Sequence, residues 1–143
     1  ANIETVNVNS GTNASTAVTH TLTVSADSVV GGMAITGDNN LSLTVSGTTR
    51  LATVDASALK GTLNLNATAS TVAEAITLGA GNSTVTSGSG ADSITGGVGN
   101  DSLSGGAGNT SLTLSGIAAG AEVDVFVAHL SSIAAATCAP TWP

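Results

Sequence analysis

Between residues 78 and 113 the chain repeats itself every nine residues, as LGAGNSTVT, SGSGADSIT, GGVGNDSLS and GGAGNTSLT. The second position of each copy is glycine (Gly79, Gly88, Gly97, Gly106), and so is the fourth (Gly81, Gly90, Gly99, Gly108). The eighth is aliphatic in every copy: Val85, Ile94, Leu103 and Leu112. A glycine-rich composition alone would scatter its glycines between columns. So short a period leaves room for one turn and one strand per copy, and such a unit hides its apolar side only against copies stacked on it. Glycine serves the turn, where φ becomes positive or backbones approach closely. Side chains alternate along the strand, so the eighth residue points inward and its Ser/Thr neighbours, such as Thr84 and Thr86, point to solvent. Stacked parallel strands over a thin aliphatic core are expected.

Four nonapeptides make only two coils, and a solenoid needs about three or more repeats to hide its core. The stack must therefore extend upstream. Inward candidates recur at Val24, Ile35, Val45, Val54, Leu65 and Ile76, then run on into Val85, Ile94, Leu103 and Leu112. This continuity predicts one stack beginning near Val18, with irregular turns first and glycine-paired turns afterwards. VTHTLTV, LSLTV, LATV and TLNLN read as strands bounded by turn formers, and GDNN at residues 37–40 is such a turn. The upstream acids Asp27, Asp38 and Asp55 are expected to make turn hydrogen bonds. The fold class is all-β, a parallel β-solenoid. It divides into a Thr/Ala/Asn-rich irregular body (residues 1–77), the nonapeptides (78–113) and a closing strand with a C-terminal tail (114–143). The closing strand is placed at residues 123–127, and the small residues of SSIAAATCAPTWP suit a helix.

Composition narrows the function. Lys and Arg number 2 against 9 Asp and Glu, a formal charge of -7, which disfavours nucleic acid and anionic membranes because both are held by clustered basic side chains. No run of about 18 uninterrupted apolar residues predicts a membrane span. The opening ANIETVNVNS has neither a basic nor an apolar leader segment, so the chain reads as a fragment or a mature product. Cys138 has no partner cysteine, and no Cys/His cluster suggests zinc. His20 alternates with Leu22 and Val24 and is expected to face inward as a structural histidine, the same role expected of His129. No nucleophile constellation, phosphate loop or aromatic sugar platform is present in the sequence, so catalysis is not expected.

The nonapeptides resemble the RTX, or hemolysin-type, calcium-binding repeat GGxGxDxUx, in which U is aliphatic. The resemblance implies a right-handed parallel β-roll that binds Ca²⁺ between turns two repeats apart, through the sixth-position Asp and turn carbonyls. On this chain that assigns Asp92 and Asp101 as carboxylate ligands and the turns of Gly88, Gly90, Gly97 and Gly99 as carbonyl donors. The sixth column departs from the family by reading Ser83, Asp92, Asp101 and Thr110. The family's pairing sets Ser83 opposite Asp101 and Asp92 opposite Thr110, one carboxylate per site instead of two. Affinity should then fall to about 10⁻⁴–10⁻³ M, the range of extracellular modules. Glu74 stands two residues before Ile76, as Asp92 stands before Ile94, and is a further candidate ligand of the same column.

IETVNV at residues 3–8 and TVDASALKGTLNLNA at 53–67 resemble the body of bacterial RTX-type surface-layer proteins. That resemblance implies a structural, non-enzymatic protein exported by a type I system, folded by extracellular calcium at the cell surface, and associating with itself into a coat. The alternatives are an RTX adhesin module, whose Ser/Thr faces would meet a cell-surface glycan, and the calcium-binding C-terminal part of a secreted hydrolase or toxin.

Overall fold

Short strands separated by glycine- and asparagine-rich turns alternate between two sheets, so that each strand pairs with the strand two places along the chain. The computed structural model describes residues 3–12, 18–25, 30–46, 51–113, 125–127 and 136–137. In chain order the upstream strands are β1 (Ile3–Asn9), β2 (Thr19–Ser25), β3 (Val30–Gly37), β4 (Asn40–Ser46), β5 (Thr53–Leu59) and β6 (Leu63–Asn66). Three-residue strands follow: β7 (Ala75–Thr77) just before the repeats and, within them, β8 (Thr84–Thr86), β9 (Ser93–Thr95), β10 (Ser102–Ser104) and β11 (Ser111–Thr113). Two more follow, β12 (Val125–Val127) and β13 (Ala136–Thr137). Odd-numbered strands form a seven-stranded sheet, even-numbered strands a six-stranded one, and the pairing is parallel throughout the described residues. The chain is a two-sheet parallel β-solenoid, consistent with a β-roll.

The inward ladder expected from the sequence is the core of this structure. Val54, Ile76, Ile94 and Leu112 lie in register along one sheet, and Leu43, Leu65, Val85 and Leu103 along the other. All eight are buried, and they belong to one hydrophobic cluster. The step between stacked partners shortens from 22 residues, Val54 to Ile76, to 18, Ile76 to Ile94. The longer upstream strands bury alternate residues two or three at a time, as with Leu41, Leu43 and Val45 on β4. Each repeat strand buries one.

Three expectations need correction. The stack does not begin near Val18: β1 already belongs to it, pairing with β3 from Ile3↔Val30 to Asn9↔Thr36, with Val6 and Val8 packed against the core. The step of 27 residues from Val6 to Met33 broke the rhythm on which the sequence reading relied. His20 stands in register with buried Leu41, on the face of β2 that carries Leu22 and Val24, but it is exposed and not a buried structural histidine. The small-residue tail, read as suited to a helix, contributes strand β13, whose backbone completes the edge of β11. The closing strand is found at Val125–Val127, paired with β10. Cys138, His129 and Asp27 lie outside the described residues.

Of the described upstream acids, Asp55 makes turn-like hydrogen bonds at a bulge and Asp38 an ion pair. Asp55 Oδ1 accepts hydrogen bonds from Ser57 N–H (3.0 Å) and Ser57 Oγ (2.7 Å) where β5 carries an extra residue against β3. These bonds hold the Asp55 carboxyl below its ordinary range, the hydroxyl contributing most. Asp38 pairs with Lys60 Nζ at 2.9 Å across adjacent turns. No helix among the described residues is long and apolar enough to cross a membrane.

Candidate calcium site

Because every strand within a sheet is parallel, turns that cross in one sense stack on one flank and turns that cross back stack on the other. Turns 67–74, 87–92 and 105–110 form the first flank. Turns 60–62, 78–83 and 96–101 form the second. Along the first, Ser89 N–H donates to Ser70 O (3.0 Å) and Ala107 N–H to Gly88 O (3.1 Å); along the second, Val98 N–H donates to Gly79 O (3.0 Å). This repeat of hydrogen bonds explains the glycine columns. A Cβ on Gly97 would fall on the carbonyl oxygen of Gly79, and Gly99 also has a φ of 127°, which L side chains rarely adopt. Gly88 and Gly90 likewise lie against the carbonyls of Ser70 and Val72.

The sequence-assigned residues therefore separate into two groups. Gly88, Gly90 and Asp92 sit in one turn of the first flank, and Gly97, Gly99 and Asp101 in one turn of the second. Both aspartates are 2% exposed. Each uses one carboxylate oxygen to hold the turn beneath it: Asp101 Oδ1 accepts from Ser83 N–H (2.8 Å) and Asp92 Oδ1 from Glu74 N–H (3.0 Å). Sixth-column aspartate is thus a stacking residue as well as a candidate ligand. Thr110, stacked above Asp92 through Ser111 N–H to Asp92 O (2.7 Å), spends its hydroxyl on Gly105 O at 2.6 Å.

Glu74 is the residue that alters the charge of the first flank. It is 2% exposed, lies beneath Asp92, and neither Oε1 nor Oε2 has a hydrogen-bond partner; Asp92 Oδ2 and the Ser70 hydroxyl in the same stack are also buried without one. The Ser70 side chain and Gly88 amide are near enough to favour the Glu74 carboxylate slightly, but neither reaches hydrogen-bonding geometry. Burial, and then the Asp92 charge, push the Glu74 carboxyl up to about 7. Asp92 is raised as well, mainly by burial and against the pull of Ser87 and the Glu74 backbone. The position of Glu74 in the column was readable from its spacing to Ile76. Ser70 had no such signal, because turn 67–74 has eight residues and no paired glycine.

No group of three or more His, Cys, Asp or Glu side chains gathers among the described residues. Transition-metal ligation by such clusters has no counterpart there, whereas a hard cation that takes carbonyl and hydroxyl oxygens beside one or two carboxylates needs no such cluster. Buried carboxylate oxygens facing carbonyl-lined turns fit calcium by donor chemistry. Residues 77–112, about a quarter of the chain, match the family model of the RTX calcium-binding nonapeptide repeat in four copies. Comparison with curated proteins and with solved structures gave no match. The chain thus carries an RTX-type repeat of the calcium-binding class, built into a β-solenoid that extends well beyond the matched residues.

Proposed function

We propose that this chain is a structural segment of a secreted bacterial surface protein, similar to RTX surface-layer proteins, in which extracellular calcium orders the nonapeptide half of the solenoid. The observation that carries the reading is the stack of glycine turns with a buried sixth-column carboxylate on each flank, Asp92 and Asp101. Asp92 with carbonyls of the turn of Gly88 and Gly90 would hold an ion on the first flank, and Asp101 with carbonyls of the turn of Gly97 and Gly99 another on the second. Bound calcium supplies positive charge and six to eight oxygen contacts between turns. The chain supplies the rest: parallel strands fix the turn spacing, glycines let carbonyls approach, and Asp92 and Asp101 tie each turn to the one below. Binding free energy of this kind becomes folding free energy, so the segment stays loose where calcium is scarce and orders outside the cell.

A coat-forming role is supported by the sparse charge and by outer strand faces rich in Thr, Ser and Asn. Circular dichroism across about 1 μM to 10 mM calcium, with magnesium as control, tests the metal-linked part. β-Signal should rise with calcium in the wild type and fail to rise in Asp92→Ala/Asp101→Ala. A chain equally folded in chelator and calcium would overturn it. Sedimentation and negative-stain microscopy of the calcium-loaded chain test the coat: a monomer at every concentration would refute self-assembly.

A further inference from the structure

We propose that Glu74, Asp92 and Ser70 form a calcium site of their own, at the junction between the irregular coils and the nonapeptides and reaching outside the matched repeat. The inference rests on the reading of the repeats as calcium-binding and adds a ligand set that the nonapeptide pattern does not contain. Glu74 precedes residue 77, where the repeat match begins, and its turn, ATASTVAE, shares no glycine with it.

Four oxygen atoms carry the argument. Glu74 Oε1 and Oε2, Asp92 Oδ2 and Ser70 Oγ are buried, and none has a hydrogen-bond partner. Ser70 is 0% exposed, Glu74 and Asp92 2%. Burying one polar atom without a partner is costly, and burying two carboxylates side by side without a countercharge costs far more. Lys60, the one Lys or Arg among the described residues, is paired with Asp38 and not with this group. No lysine or arginine among the described residues pairs with this group, while the Glu74 N–H to Asp92 Oδ1 bond sets the two acidic residues one above the other and the Asp92 charge and Ser70 side chain both act on the Glu74 carboxyl. A hard cation satisfies all four at once. Calcium fits better than magnesium, because it accepts irregular oxygen sets with little water, whereas magnesium demands near-octahedral geometry and gives up its water reluctantly.

The arrangement also restores what the sixth column had lost. Against Thr110, Asp92 faces a hydroxyl already engaged within its own turn. Against Glu74 it faces a second carboxylate, so the first flank holds the two charges that the second flank, with Asp101 over Ser83, lacks. The Glu74 site should therefore fill before the Asp101 site as calcium is raised.

Calcium stoichiometry of the full chain, by equilibrium dialysis, and melting in chelator against calcium, separate the possibilities. Glu74→Gln keeps the size and removes the charge; it should lose the tighter bound ion, retain the weaker, and melt higher than the wild type in chelator at about pH 8. Asp101→Asn should keep the tighter ion. Glu74→Asp, which keeps the charge but shortens the reach, should weaken the tighter ion by about tenfold or more, and serves if the amide variant does not fold. Unchanged number and affinity in Glu74→Gln, or in Glu74→Asp where that variant is used, would overturn this inference while leaving the repeat reading intact. A wild type that binds no calcium would overturn both.

Discussion

Glu74 is where sequence, structure and solution behaviour meet most sharply. Its carboxyl is pushed up to about 7 from an ordinary 4.5, by burial first and the Asp92 charge second. Without metal, the native state holds a proton between those values that the unfolded chain has released. Stability from this group is therefore complete below the lower value and lost as pH rises through the upper. Asp92, also raised, acts in the same direction, while exposed Asp55, lowered by Ser57, acts weakly in the other. In chelator, the urea midpoint of the wild type should fall between about pH 5 and pH 8, and Glu74→Gln should flatten that fall. Calcium needs ionised carboxylates, so the stabilisation it adds should grow over the same window. A metal-free midpoint that climbs with pH would contradict the placement of this carboxyl.

At the scale of elements, turns and strands ask different things of glycine. In the turn 96–101 an added Cβ on Gly97 meets the backbone oxygen of Gly79, which the stacked coil cannot move without losing its hydrogen bond to Val98. In β3 the nearest atom to a Cβ on Gly32 is Thr53 Cβ at 3.7 Å, ordinary contact on the outer face of the sheet. Gly97→Ala should cost about 2–4 kcal/mol. Gly32→Ala should gain about 0.4–1 kcal/mol by restricting the unfolded chain. Urea unfolding at fixed calcium measures both, and equal effects would mean the turns are not stacked as described. The same contrast explains what was legible. Paired glycines and one aliphatic every nine residues located β8 to β11 and their inward residues, because the steric demand repeats. β1 escaped notice since a step of 27 residues separates it from its partner. The β5 bulge escaped as well, because Asp55 reads as a turn residue in sequence and makes its turn-like bonds to Ser57 inside a strand. In the site, the two aspartates and Glu74 could be placed in one column by counting, and the family's pairing of Ser83 with Asp101 and of Asp92 with Thr110 recurs in the stack, but Ser70 could not be found, since its turn has no paired glycine.

Across the whole molecule the core is uneven, deep upstream and thin in the repeats. Coils β3 to β6 bury Met33, Ile35, Leu41, Leu43, Val45, Leu51, Val54, Leu59, Leu63 and Leu65. The strands from β8 to β11 bury Val85, Ile94, Leu103 and Leu112, one apiece, alongside Asp92 and Asp101. A stacked repeat gains stability from each unit and its nearest neighbours, so a segment with less apolar burial and buried charge opens first. On the proposed reading, the deep upstream coils act as the template, and the nonapeptides grow on it when calcium neutralises their carboxylates. Hydrogen exchange resolves the two halves. In chelator the amides of β8 to β11 should lose protection while those of β3 to β6 keep theirs, and about millimolar calcium should restore the repeats. The Glu74 and Ser83 amides, which donate to Asp92 and Asp101, report the state of the first and second flanks. If the Glu74 site fills first, the Glu74 amide recovers protection at lower calcium than the Ser83 amide. Uniform loss along the chain would instead make the solenoid one cooperative unit, with calcium sustaining the whole stack and not only its thin end.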